Sequence, residues 1–236
     1  MTGAFPNFPM MSFRSCLDQI KSAMPVAPFV LQIGAMDGVR FDLLYPVLSA
    51  GGWRGLLIEP MPDMFALLQQ NYAAHPQFAL VNCAVSDHEG TLALYRVDPA
   101  LVESGQVREN MLGMTSAFPE RAMLRDAELN KNLLGVAMDQ VQRVDVPCRT
   151  LPALLQQNNV GYINVVVIDT EGADWLIASQ LDLVKHRPTF VCLEFFHLPA
   201  QELNDCCAHF FRHGYKAAVC EEDNENLIFY MTACTA

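Results

Sequence analysis

Residues 29–38, FVLQIGAMDG, decide the fold. Phe29, Val30, Leu31 and Ile33 lead into Gly34, Ala35, Met36, Asp37 and Gly38. A buried strand that stops in a glycine-bounded turn, with a helix-like stretch from Arg40 onward, is the first strand–turn–helix of an α/β sheet. Gly34 lets the backbone turn where a Cβ would clash, and Gly38 permits close approach of a ligand or of the next helix. Free N–H groups at the start of that helix would favour the electronegative part of a small molecule. Any tight strand–helix junction can look the same, so the stretch alone leaves both readings open.

Outward from the turn the alternation continues. Phe41, Leu43, Leu44, Val47 and Leu48 form a helical stripe stopped by Gly51 and Gly52. Residues 55–59, GLLIE, form a second strand ending in an acid, and Asp63 caps a helix carrying Phe65, Leu67, Leu68 and Tyr72. Residues 78–85 supply a third strand, and 91–97 an additional one at an edge or in a hairpin. Upstream, residues 1–11 look irregular, and Ser12 caps a helix with Phe13, Cys16, Leu17, Ile20 and Met24 on one face. Downstream, residues 98–143 lose the alternation and predict a partly helical cap, with a helix near 121–134. Thr150 caps the next helix, and 162–168 is the most hydrophobic strand, buried on both faces. Residues 188–196 form a strand through Glu194, with His197 just beyond it. An amphipathic helix at 201–213 and two antiparallel strands, 215–219 and 227–231, complete the chain. The expected division is a leader and helix at 1–28 and one domain at 29–236.

The composition sets limits on partners. With Lys+Arg 15 against Asp+Glu 26, the net charge of −11 provides no basic footprint for nucleic acid or an anionic membrane surface. A hydrophobic share of 52% with 17% charged residues belongs to a globular chain with a full core. No stretch reads as a signal peptide or a membrane span. The eight cysteines include no C-x-x-C pair, which predicts reduced, buried thiols in a cytoplasmic protein. A homo-oligomer is compatible with the leader helix.

Strand–helix alternation predicts a doubly wound, mainly parallel sheet with its ligand crevice beyond the carboxyl ends of the strands. Polar residues collect at those ends: Asp37, Glu59, Asp87, Asp169, Glu171 and Glu194. Glu59 closes the second strand, where an acid can accept hydrogen bonds from both hydroxyls of a ribose, although a solvated strand end is the plain alternative. The turn lacks the G-x-G-x-x-G spacing that seats a pyrophosphate. That weakens an NAD-linked oxidoreductase and favours a nucleoside-like cofactor without pyrophosphate.

Six segments then carry a specific resemblance. IGAMDG at 33–38, LLIEP at 56–60, LVNCAVSDHEG at 80–90, CRTLPALL at 148–155, VVIDTEGAD at 166–174 and RPTFVCLEF at 187–195 together resemble the FkbM-type family of S-adenosylmethionine-dependent methyltransferases. The likeness runs over nearly the whole span from Val30 to Met231. It implies a seven-stranded Rossmann-like sheet with a terminal antiparallel pair and an insertion. By the same resemblance, Gln32 and the turn of Gly34, Ala35, Asp37 and Gly38 surround the methionine part of S-adenosyl-L-methionine. Glu59 and Pro60 meet the ribose, and Asn82, Cys83, Ala84 and Asp87 border the adenine. Asp169 and Glu171 stand near the methyl group and acceptor. Two positions depart from the family pattern. Gln32 stands where an acid is common, so contact to the cofactor's amino group is altered or supplied by water, and Val167 stands where Lys is common.

The implied reaction is attack of a small-molecule hydroxyl, on a sugar or specialised metabolite, upon the sulfonium methyl group. Candidate bases are Asp169, Glu171, Glu194 and His197, the last because imidazole titrates near neutral pH. A divalent ion among Asp169, Glu194 and His197 is chemically possible but not predicted. N-methylation and a non-catalytic nucleoside-binding or scaffold role are the alternatives. The remaining histidines, His75, His88, His186, His209 and His213, are assigned to the surface or to helix ends.

Overall fold

The computed structural model describes residues 8–121 and 141–231. Its main sheet has eight strands: β1 (Met10–Met11), β2 (Phe29–Ile33), β3 (Arg54–Ile58), β4 (Phe78–Val81), β8 (Val165–Ile168), β9 (Phe190–Glu194), β10 (Lys216–Cys220) and β11 (Asn226–Tyr230). They lie in the order β1-β10-β11-β9-β8-β2-β3-β4. β11 is antiparallel to both of its neighbours, and every other pairing is parallel. The expected seven strands are therefore joined by an eighth. Met10 and Met11, read from sequence as an irregular leader, pair with Val219 and Cys220 on the edge of β10.

Both sheet faces are covered because each central strand is apolar on both sides. Val30 and Val165 pack with helices α1 (Phe13–Ala23), α2 (Tyr45–Leu48) and α3 (Pro62–Asn71). Leu31, Ile33 and Val166 pack with α5 (Leu151–Gln157), α6 (Asp174–Ala178) and α7 (Ala200–Arg212). Helix α1 starts as its sequence predicts: the Ser12 hydroxyl accepts from Ser15 N–H, and Phe13, Cys16, Leu17 and Ile20 are buried. Thr150 caps α5 in the same way, accepting from Ala153 N–H.

A second sheet of three strands, β5-β7-β6, stands beside the first. It comprises β5 (Ala84–Val85), β6 (Gly90–Val97) and β7 (Val141–Arg149). The single strand expected at 78–85 is thus split between two sheets, and β7 replaces what the sequence left unassigned before residue 144. Within the insertion, residues 98–121 carry a short helix, α4 (Pro99–Glu103), and a 3-10 turn at Glu109–Leu112. The helix expected near 121–134 lies, from residue 122 on, outside the described residues.

Other local expectations need correction. The stretch after Gly38 forms turns, with helix only at Tyr45–Leu48, because Asp37 accepts from Val39 and Arg40 N–H and supports a loop instead. The helix that follows the glycine turn therefore begins only at Tyr45. Asp63 caps nothing; it pairs with Arg96 at 2.6 Å. His186 is buried rather than superficial, its Nδ1 2.5 Å from the Gly161 carbonyl. Cys83, Cys148, Cys192, Cys206, Cys207 and Cys220 are buried free thiols, and Cys16 is buried as well. No helix among the described residues is long and apolar enough to cross a membrane.

Gly38 shows why its type matters. Its φ is +71°, and a Cβ there would lie 2.5 Å from Leu68 Cδ1 and 2.6 Å from Tyr72 Cε2. The residue thus admits α3 and the Tyr72 ring beneath the loop, not a ligand. Gly38→Ala is expected to lower stability by roughly 1–3 kcal/mol through overpacking and backbone strain, seen as an earlier urea midpoint. An unchanged midpoint would contradict the tight packing.

Candidate active site

Strand register assembles the site. Ile33 is level with Ile58 on one side and Ile168 on the other, and Ile168 is level with Leu193. The residues that follow, Gly34, Glu59, Asp169 and Glu194, therefore emerge in one row at the carboxyl ends of four adjacent strands. Between β2 and β8 the chain reverses its direction of winding, which is where an open α/β sheet leaves a crevice. A cavity of about 620 Å³ occupies that position.

The row residues differ in how they are held. Gly34 (φ +86°) packs its Cα against the Asp169 backbone, so a Cβ would come 1.7 Å from the Asp169 carbonyl oxygen. The Gly34 and Ala35 N–H groups both donate to the Ile58 carbonyl, which closes the turn onto β3. Met36, at φ +48°, donates its N–H to Glu59 Oε2 at 2.8 Å, and Met61 N–H donates to Glu59 Oε1 at 2.8 Å. Glu59 is 5% exposed, and burial lifts its pKa to about 7 despite those donors. Each carboxylate oxygen keeps a second lone pair for a hydroxyl donor. Asn82 does not reach the cavity; its amide donates to the carbonyls of Glu59 and Pro60 and holds that loop.

At the other end of the cavity Glu171, Glu194 and His197 converge. His197 Nε2 is 3.0 Å from Glu171 Oε2 and 3.3 Å from Glu194 Oε1. Its Nδ1 lies 3.1 Å from the Arg121 carbonyl, so Nδ1 carries a proton and donates there. Nε2 then faces two carboxylates, and three lone pairs can meet only around a cation. A proton delivered between the ring and Glu171 would satisfy this. A divalent ion would have Glu171, Glu194 and His197 as ligands, their donor atoms within 4.8 Å of one another. Asp169, expected in such a set, is not among them. Glu194 is buried, and its pKa is pushed upward by burial and by repulsion from Glu171 and Asp169. Asp169 is open to the cavity yet ringed by protein, and burial with the neighbouring carboxylates raises its pKa too.

The Asp169–Asp174 turn is strained and braced. Glu171 has φ +55°, a left-handed conformation that costs a non-glycine residue energy. Ser116 Oγ donates to the Glu171 carbonyl at 2.6 Å, and Arg121 donates to the Gly172 carbonyl at 2.9 Å while pairing with Glu202. Asp174, fully buried, accepts from Thr170 Oγ1 and Gly172 N–H, and burial lifts its pKa to about 7.

Of the residues expected at the site, Gln32, Gly34, Ala35, Glu59, Pro60, Cys83, Ala84, Asp169, Glu171, Glu194 and His197 line this one cavity. Asp37, Gly38, Asn82 and Asp87 do not. Asp37 is spent on its own loop and on Arg40, 2.6 Å away, and exposed Asp87 pairs with His88. Asp42, Asp223 and Glu225 also line the cavity without having been singled out. For Asp42 the signal was available: a lone acid inside an apolar stripe.

Glu59 makes the pH dependence of stability testable. Folding raises its pKa from the ordinary 4.5 to about 7, so the folded state holds this proton more tightly than the unfolded chain. Its contribution is then most favourable below pH 4.5 and declines as pH rises through 7. Relative to Glu59→Gln, the wild type should lose up to about 3 kcal/mol between pH 4.5 and 8, at 1.36 kcal/mol per unit. Urea unfolding of both proteins at several pH values checks this; parallel curves would refute it.

Residues 32–235 match the Methyltransferase FkbM domain. No curated protein is similar enough to count as a relative. Among solved structures, the methyltransferase FkbM of Methylobacillus flagellatus KT aligns with a TM-score of 0.51 and 13% identity, over 86% of this chain and 43% of that one. This chain therefore spans less than half the length of that protein. Precorrin-6y C5,15-methyltransferase of Geobacter metallireducens GS-15 aligns at 0.44 with 10% identity, over 93% of this chain and 87% of that one. The N-terminal domain of human METTL16, solved in complex with SAH, aligns at 0.44 with 13% identity, over 92% of this chain and 67% of that one. With the domain match running through every strand that builds the cavity, the chain belongs to the FkbM methyltransferase family.

Proposed function

We propose that the protein transfers a methyl group from S-adenosyl-L-methionine to a hydroxyl of a small molecule. The observation that carries this reading is a single cavity with the Gly34 turn and Glu59 at one end and a carboxylate–imidazole cluster at the other. The residues present suit the cofactor. Glu59 offers fixed carboxylate oxygens with lone pairs left for ribose hydroxyls, and Met64, Cys83, Ala84, Leu92 and Leu94 offer an apolar wall for a purine. When bound, the cofactor supplies an electrophilic methyl carbon on a sulfonium centre.

The protein's part is alignment and proton handling. Asp169, at the β8 end between the two halves of the cavity, orients the reacting groups. The Glu171–His197 pair takes the proton that an attacking hydroxyl releases, with Nδ1 anchored on the Arg121 carbonyl so that Nε2 is the exchanging atom. Val167 lines the wall where relatives often carry Lys, so the proton is not assigned to an amine at that place.

A second reading, methyl transfer to an amine, is favoured by the acids at the acceptor end, Asp169, Glu171, Glu194, Asp223 and Glu225, which suit a cationic acceptor. Supplying alcohols and amines separately and identifying the methylated product by mass spectrometry distinguishes the two.

Calorimetry is expected to show binding of S-adenosylmethionine and of its demethylated product, weakened about tenfold or more in Glu59→Ala by loss of a charged hydrogen-bond acceptor. Absence of binding to either compound overturns the proposal. His197→Gln should slow transfer by roughly 100- to 10,000-fold while cofactor affinity stays within about twofold. Full activity in that variant removes the assigned proton acceptor.

A further inference from the structure

Gln32 stands at the last turn-facing position of β2, and its neutral amide cannot neutralise a cation. The loop that follows supplies what it lacks. Phe41, at φ +57°, turns the chain so that Asp42 joins Gln32 and Gly34 in the cavity wall. We propose that Asp42, with Gln32 beside it, receives the ammonium group of the cofactor's methionine part. This rests on the S-adenosylmethionine reading above and adds a residue to it.

The two side chains present a coherent set of acceptors. Asp42 Oδ1 accepts from Leu44 N–H at 2.7 Å, which fixes the carboxylate. Its Oδ2 is buried and has no donor. Gln32 is 4% exposed, its amide hydrogen-bonds to Asp42, and its Oε1 is also buried without a donor. Two buried oxygens without donors, on two residues of the same cavity wall, suit a compact group with several N–H donors, which an ammonium is.

Among the described residues, Arg40 is the one Arg or Lys that lines the cavity. Arg40 reaches the cavity, but its Nε is 2.6 Å from Asp37 and its Nη1 3.3 Å from Glu109. The charges acting on Asp42 are acidic, Asp37 by direct repulsion and Asp169 across the cavity. Burial lifts the Asp42 pKa to about 6, against the hydrogen bonds that favour its charged form. The local bonds from Leu44 N–H, Tyr45 N–H and the Gln32 amide fix the carboxylate, and Oδ2 still lies buried without a donor within bonding distance. Asp169 is the competing acceptor for the same ammonium.

The test compares two probes, S-adenosylmethionine and 5′-methylthioadenosine, which has the nucleoside and thioether but no amino acid part. Asp42→Asn keeps the shape of the loop and removes the charge. It should bind S-adenosylmethionine about 10- to 100-fold more weakly by calorimetry and 5′-methylthioadenosine as the wild type does. Adding Gln32→Glu to Asp42→Asn should restore most of the lost affinity by returning a carboxylate to the same wall. Wild-type affinity for S-adenosylmethionine in Asp42→Asn would overturn the assignment and leave Asp169 in its place. Equal loss for both probes would also overturn it, by showing a structural role. Should the wild type bind neither probe, the cofactor reading itself fails, and this inference with it.

Discussion

The level row of Ile33, Ile58, Ile168 and Leu193 is the constraint on which the rest depends. Apart from Arg54 at the start of β3 and Gln32 in β2, the four strands are apolar up to that row, because both faces of the sheet are covered by helices. One residue later the cover ends, and polar groups become affordable on all four strands at once. A one-residue slip of any strand would reverse its faces and withdraw its terminal residue from the row. Hydrophobic register and site geometry are thus the same property. It holds Glu59 and Glu194 in a common cavity though they are far apart in sequence.

The electrostatics follow from this placement. Acids are gathered where water is scarce, so burial and mutual repulsion raise the pKa values of Glu59, Asp169, Asp174 and Glu194 together. Such an arrangement lowers the stability of the empty fold and favours positively charged or donor-rich occupants. Backbone strain is distributed similarly. Met36, Phe41 and Glu171 all adopt left-handed conformations, and all three line the cavity. Hydrogen bonds hold two of them there, that of Met36 N–H to Glu59 and that of Ser116 to the Glu171 carbonyl.

Much of this was legible in the chain because apolar runs that stop at an acid mark strand ends directly. Residues 55–58, 165–168 and 190–193 are such runs, and Glu59, Asp169 and Glu194 just beyond them line the cavity, joined by Gly34 at the end of 29–33. Legibility failed where a polar residue serves its own loop. Asp37 and Asp87 look like ligand acids, yet Asp37 satisfies two backbone N–H groups and Arg40, and Asp87 meets His88 in solvent. Local hydrogen bonding of this kind leaves no periodic trace. The second sheet was obscured for another reason. β7, VQRVDVPCR, exposes alternate polar residues and contains a proline, so it lacks the apolar run that announces a central strand. Met10 and Met11 were too short a strand for any period to show. Asp42 was hidden among apolar neighbours that suggested a helix, whereas the chain forms turns there.

Arg121 ties the insertion to the chemistry more closely than a covering segment would require. Its guanidinium holds the Gly172 carbonyl and Glu202 and lies over the Phe118 ring, 4.2 Å from the centroid, while its carbonyl accepts from His197 Nδ1. The insertion, which lines part of the cavity, therefore also fixes the orientation of the His197 ring. A change in the insertion that moved this single backbone oxygen would turn the imidazole with it.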